Sequence, residues 1–247
     1  MKKLFLSLLL LLATGTQAME LISSNGIYYN IYDESQTAIV VHHPDGASNY
    51  TGDVVIPSTV VAYNQNSYQV VGIDFAAFQE SKITSVEIPG TVSSLSMQAF
   101  CDCDNLKKVK LHEGLQNIGN NCFSWSDALE ELELPSTVTY LGYYILQSCT
   151  SFKKLTCLAE TPPTVGQNSF FGTMSMEGMT LRVPEASLET YKAKAPWSDF
   201  GRIISIEGGE WQGYEMTKST FTGGVEYNYH DVLCVGTLAT VEGNNWT

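Results

Sequence analysis

A period constrains this chain more than any motif. Phe78, Phe100, Phe123, Leu146 and Phe170 stand 22, 23, 23 and 24 residues apart. Ahead of the first four, at constant offsets, lie Ile73, Leu95, Ile118 and Leu141, and ahead of these Val70, Val92, Leu115 and Val138. Behind them come Ile83-Val86-Ile88, Leu106-Val109-Leu111, Leu129-Leu132-Leu134 and Phe152-Leu155-Cys157. A single copy cannot bury its own apolar side chains, whereas stacked copies share a continuous core. The repeat therefore predicts a solenoid.

Each copy has two parts. Runs such as "LEELEL" alternate apolar and polar residues, as a short strand with one buried face does. Pro57, Pro89 and Pro135 follow the strand positions Ile56, Ile88 and Leu134, and a proline there ends a strand because it cannot donate to the ladder. Segments such as "TVSSLSMQAF" place apolar residues at spacings of three and then four to five. That spacing predicts a helical or 3-10 turn on the opposite side.

"IPGTVSSLSMQAFCDCDNLKKVKL" and "LPSTVTYLGYYILQSCTSFKKLTC" resemble BspA-type leucine-rich repeats, and the resemblance spans about residues 26 to 206. The opening "NGIYYNIYDESQTAIVV" and the later "MTLRVPEASLETYKAKAPWSDFGRI" are similar to the family's usual ends. His112 replaces a proline of the pattern and Ile145-Leu146 replaces its Ala-Phe pair. The resemblance implies an α/β chain: a right-handed leucine-rich repeat solenoid, with short parallel strands on one face and helical or 3-10 turns on the other. It also implies exported or surface proteins of host-associated bacteria, some of them adhesive toward host or bacterial proteins.

Four segments are expected. Residues 1–18 read as a signal peptide, with Lys2 and Lys3 before an apolar run too short to span a bilayer. Residues 19–52 alternate like a hairpin and suit an N-terminal β cap. Residues 53–206 hold the repeats and end in a helical cap, "PEASLETYKAKA", whose Leu188, Tyr191 and Ala195 share a face backed by Trp197 and Phe200. Residues 207–247 read as a Gly-rich tail or an appended hairpin.

Charge narrows the partners. The chain carries 13 basic and 26 acidic residues, a net charge of −13 that becomes −15 once Lys2 and Lys3 leave with the signal peptide. Nucleic acid and anionic membranes need a basic surface, so neither is expected, nor is membrane insertion after signal removal.

Six cysteines invite a search for chemistry. The repeat register instead gives four of them packing roles. Cys103 and Cys149 share the small turn position of Ser81 and Ser126, Cys122 shares that of Ala77 and Ala99, and Cys157 shares that of Ile88 and Leu134. Cysteine packs there as a small hydrophobe. Cys101 shares its position with Gln79, Ser124 and Gln147, which predicts exposure and leaves a Cys101–Cys122 bridge open. Zinc needs four converging ligands, and His112 follows a strand across the solenoid from Cys101 and Cys103. His42 and His43 fall in the N-terminal section and His230 in the tail, beside Cys234. No Gly-x-Ser-x-Gly elbow or phosphate loop occurs. The sequence points to no enzyme, metal or cofactor.

Two surface features remain. Outward strand positions form columns, one reading Val55, Glu87, Lys110, Glu133, Thr156, Arg182 and its neighbour Asp53, Ser85, Lys108, Glu131, Lys154, Thr180. Opposite charges in adjacent coils suit a ladder that sets strand register; a polar ligand groove is the alternative. On the turn side, Trp125 stands where other copies have Glu80, Asp102 and Ser148. Tyr144 stands with Ala76, Gln98 and Asn121, and Tyr143 with Phe75, Met97 and Asn120, the latter position expected to be half-buried. Such rings either anchor a partner or pack beneath the tail. The expected function is non-catalytic binding of a macromolecule, protein first, with a glycan-binding module or an envelope spacer as alternatives. The expected location is the periplasm, the cell surface or outside the cell.

Overall fold

Alternate apolar residues can all point inward only if each run is extended, and adjacent copies then pair in register. The computed structural model describes residues 19–46, 49–166, 170 and 175–207. The expected signal peptide, and residues 208–247 with Cys234 and His230, lie outside the described residues. The chain opens with β1 (Met19–Ser24), β2 (Ile27–Tyr32) and β3 (Thr37–Val41), paired antiparallel in sequence. It then alternates between two faces.

One face carries β4 (Thr51–Val55), β7 (Lys82–Ile88) and β9 (Lys108–Leu111) as one parallel sheet. A second parallel sheet on that face holds β11 (Glu131–Leu134), β13 (Lys154–Cys157), β15 (Thr180–Val183) and β16 (Arg202–Ser205). The other face carries β6 (Ser67–Ile73), β8 (Ser94–Leu95), β10 (Asn117–Ile118), β12 (Tyr140–Leu141) and β14 (Thr164–Val165). These five run parallel to one another, and β6 also pairs with β3 and with β5 (Thr59–Val61). The architecture is a β-solenoid of about six turns.

The helical turn expected on the second face is not there. Among the described residues the one α-helix, α1 (Leu188–Lys192), follows the last repeat strand but one. The chain is thus a β-solenoid with little helix, not an α/β fold. In place of a helix, each turn holds two left-handed residues four apart. They are Ala76 and Glu80, Gln98 and Asp102, Asn121 and Trp125, Tyr144 and Ser148, all with φ between 53° and 60°. A left-handed residue every fourth position reverses the local winding, so the turn keeps only isolated i→i−3 bonds, such as Cys101 N–H to the Gln98 carbonyl (3.1 Å), and no continuous helix forms. The freed amides bond to the next coil: Phe78 N–H to the Ala99 carbonyl (2.8 Å), Phe100 to Cys122 (2.8 Å) and Phe123 to Ile145 (2.9 Å).

Those bonds set the pitch at which a spine of rings stacks. Tyr50, Phe78, Phe100 and Phe123 lie with centroids 4.7, 5.0 and 5.5 Å apart. Leu146 interrupts the stack, and Phe170 resumes against Trp197 at 4.8 Å. Beside the spine, the small turn residues donate to the phenylalanine carbonyl one coil back. The Cys103 thiol reaches Phe78 O (3.1 Å), the Ser126 hydroxyl Phe100 O (3.1 Å) and the Cys149 thiol Phe123 O (3.1 Å). Only a short side chain with a donor fits this position, which explains the exchange of Ser for Cys. Tyr191 within α1 and Trp197 just after it are fully buried, with Tyr191 OH donating to Ala159 O and Trp197 Nε1 to Pro163 O. Leu188 is half-buried, but Ala195 is exposed, because the helix stops at Lys192 and the expected shared face does not extend that far.

Candidate functional site

On the strand face the columns follow the register that the repeat implies. Val55, Glu87 and Lys110 are partners across β4, β7 and β9, and so are Asp53, Ser85 and Lys108. In the second sheet Glu131 pairs with Lys154, then Thr180 and Arg202, and Glu133 pairs with Thr156. Lys110 Nζ lies 2.8 Å from Glu87 Oε1, and His112 Nε2 reaches the same oxygen at 2.8 Å. The Lys110 bond, with that of His112, holds the Glu87 carboxyl below its ordinary range. Hydrogen bonds from Ser85 (2.6 Å) and Thr84 (2.8 Å) do the same for Asp53. Lys154 pairs with Glu131 at 2.5 Å and Lys153 with Glu130 at 2.9 Å.

The columns are nevertheless broken once. No ladder joins β9 to β11, so the strand face is two sheets of three and four strands. The expected continuity of opposite charges from Lys110 to Glu133 and from Lys108 to Glu131 fails at this seam. Lys110 turns back to Glu87, and Glu131 turns forward to Lys154. These surface pairs support register and add little stability, because water screens them.

On the turn side the αL positions decide what is shown to solvent. Trp125 (φ 58°) is 42% exposed, and its N–H bonds the Gln147 carbonyl at 2.8 Å. Tyr144 (φ 59°) is half-buried, its ring edge-on to Tyr143 at 5.4 Å. No ring pair among the described residues joins Trp125 to Tyr144 or Tyr143. The Tyr143 position is more open than the sequence suggested. Phe75 is 53% exposed, Met97 41% and Tyr143 38%. The three form, with half-buried Asn120, one column over four coils. The reason is the left-handed residue that follows each of them, which turns the preceding side chain outward. Phe75 and Met97 are not singled out by the sequence as contacts, because their shared position reads as half-buried. The signal available was that the same position holds Asn120, which does not suit a core.

The thiols belong to the interior. All five described cysteines are free and buried, including Cys101 at 2% exposure and Cys122, so the open bridge is not formed and the expected exposure of Cys101 is corrected. In the αL turn the Cys101 side chain folds under the coil, as Ser124 does at the same position. Burial pushes the Cys101 thiol up to about 11 and those of Cys103 and Cys149 up to about 12. Among the described residues no group of His, Cys, Asp and Glu side chains could hold a metal ion. No helix among them is long and apolar enough to cross a membrane.

Stacked short repeats, parallel strands on one face and bonded turns on the other define a leucine-rich repeat solenoid. Residues 72–193 match the BspA type leucine-rich repeat region in six copies. This chain belongs to the BspA-type leucine-rich repeat family. Among solved structures, a leucine-rich repeat protein from Bacteroides capillosus is 30% identical over 49% of this chain and 86% of its own, with a TM-score of 0.45. The T. pallidum leucine-rich repeat protein is 16% identical over 79% and 92%, with a TM-score of 0.56. The pneumococcal vaccine antigen PcpA is 19% identical over 70% and 52%, with a TM-score of 0.53. A comparison with curated protein sequences found no match.

Proposed function

We propose that this chain is an exported, non-catalytic repeat protein that binds another protein through the turn side of its solenoid. The observation that carries this reading is the open column of Phe75, Met97 and Tyr143, with Trp125 also exposed in the turns of the same coils. Large apolar side chains held open on inter-coil hydrogen bonds are ready contacts, because little ordering entropy is lost when a partner covers them. Trp125 adds a second argument. A left-handed conformation costs a side chain of this size roughly 1–2 kcal/mol, and its burial is too partial to be the reason for its presence. Other coils hold this position left-handed too, so what sets Trp125 apart is an exposed ring where Glu80, Asp102 and Ser148 are small or polar.

The leader "MKKLFLSLLLLLATGTQAME" supports export, to the periplasm, the cell surface or the medium. The β1–β3 meander and the α1 segment would cap the solenoid's two ends, dividing the mature chain at about 52 and 206, and right-handed winding follows the rule for parallel crossovers. A glycan is the second reading, favoured by the Tyr143–Tyr144 pair, whose edge-on rings offer a face on which a sugar could stack. Probing protein and glycan arrays with the mature chain and with Trp125→Ser tests both. Protein spots weakened by Trp125→Ser support the proposal, glycan spots support the second reading, and silence on both arrays leaves a spacer without a ligand.

A further inference from the structure

The break between β9 and β11 has a consequence for charge. Every other neighbouring pair of coils on the strand face is joined by a parallel ladder, so this seam alone leaves two strand edges facing each other without one. Two of the acids beside it are already engaged, Glu130 by Lys153 and Glu131 by Lys154, and a third, Glu133, has no ion pair among the described residues. Lys110 is held by Glu87. Lys107 and Lys108, both exposed, have no ion pair among the described residues. A cleft of ≈ 290 Å³ opens here, its charged lining being Lys107, Lys108, Lys154 and Arg182 with Glu131 and Glu133, and a wider hollow beside it adds Lys153 and Glu130. Arg182 gives one Nη2 bond to the Ile206 carbonyl, and its buried Nε has no hydrogen-bond partner among the described residues. On a chain of net charge −13 the seam is a local cationic trough.

We propose that this seam is a second docking surface, separate from the turn side, and that it takes an extended acidic segment of a partner protein. Lys107, Lys108 and Arg182 receive its carboxylates, and the segment lies over the seam rather than between its strands, because β9 and β11 are already neighbours. Charge complementarity selects the occupant, since the surrounding negative chain repels polyanions everywhere else. Glu133, unpaired in the same lining, accepts a backbone N–H of the segment, which favours a peptide over an anionic sugar chain.

The test is fluorescence anisotropy at low salt, using the mature chain and a fluorescein-labelled peptide of alternating glutamate and glycine. Saturable binding is expected, lost with the glutamine–glycine peptide and weakened by salt. Lys107→Glu with Lys108→Glu should weaken it by about tenfold or more, and the neutral Lys107→Gln with Lys108→Gln should weaken it less. Lys82→Glu with Lys192→Glu, which makes the same charge change away from the seam, should leave it intact, and so should Trp125→Ser. The absence of saturable binding, or equal loss in the two charge-reversed pairs, overturns the proposal. Binding of a heparin oligosaccharide with no binding of the peptide also overturns it, in favour of an anionic glycan. None of these outcomes bears on the turn-side contact, which the array and Trp125→Ser judge alone.

Discussion

Phe100 is the most informative place to perturb the fold. Its ring is fully buried and lies nearly parallel to Phe78 (5.0 Å, 7°) and to Phe123 (5.5 Å, 9°). Phe100→Ala empties that space in a solenoid whose backbone pitch is set by inter-coil bonds, so the cavity has little room to collapse. Truncations of this kind cost about 3–5 kcal/mol. Phe100→Leu places there the side chain that Leu146 already supplies at the same repeat position. It keeps most of the volume and loses two ring pairs, each worth about 0.5–1.5 kcal/mol beyond area, for a total of about 1–3 kcal/mol. Set against a typical domain stability of about 5–15 kcal/mol, the alanine variant should lose roughly a fifth or more. Urea denaturation followed by far-ultraviolet circular dichroism reads both. Because each coil contacts only its neighbours, the alanine variant should also broaden the transition. A leucine variant as stable as the parent, or an alanine variant losing less than about 1 kcal/mol, would refute the account of a stacked spine.

Three further outcomes are expected. Lys110→Glu should lower the melting temperature at neutral pH and low salt, because it sets a like charge against Glu87. That carboxyl is held below its ordinary value, so its contribution is present above the unfolded carboxylate pKa and fades as pH falls through the folded one; the gap between variant and parent should close in acid and in salt, and a gap independent of both would count against the ladder. Native thiol labelling resolved by mass spectrometry should find Cys101 as slow as Cys103, Cys122, Cys149 and Cys157, with all five reacting after unfolding; rapid labelling of Cys101 would contradict its burial. Trp125→Asn should melt close to the parent, since asparagine accepts the left-handed conformation at little cost and the lost ring was 42% exposed, while array binding falls; a much lower melting temperature would make Trp125 structural.

The repeat frame was legible because burial recurs. A position that is apolar in every copy, such as that of Val92, Leu115 and Val138, states its own direction, and the strand columns Glu87–Lys110 and Glu131–Lys154 followed from it. The turn was misread for a physical reason. Apolar spacings of three and four to five fit a helix, and the residues that forbid one, such as Gln98, Asp102 and Trp125, are not glycines and carry no mark of a positive φ. The same turn hid Cys101 under the coil and pushed Phe75, Met97 and Tyr143 out. The seam between β9 and β11 was not legible either. The spacing from Leu111 to Leu134 equals that from Ile88 to Leu111, at 23 residues. The lysines of one strand and the glutamates of the other promised attraction, yet Lys110 and Glu131 found partners in the coils on their other sides, and Lys108 and Glu133 have no ion pair among the described residues.

Hydrogen exchange on the mature chain, alone and saturated with the strongest protein found on the array, tests the central claim most directly. The account predicts added protection on the turn side, at amides around Met97, Trp125 and Tyr143 in adjacent coils, with little change along β7 or β13. Protection confined to the strands, with the turn side exchanging as in the free chain, would contradict it.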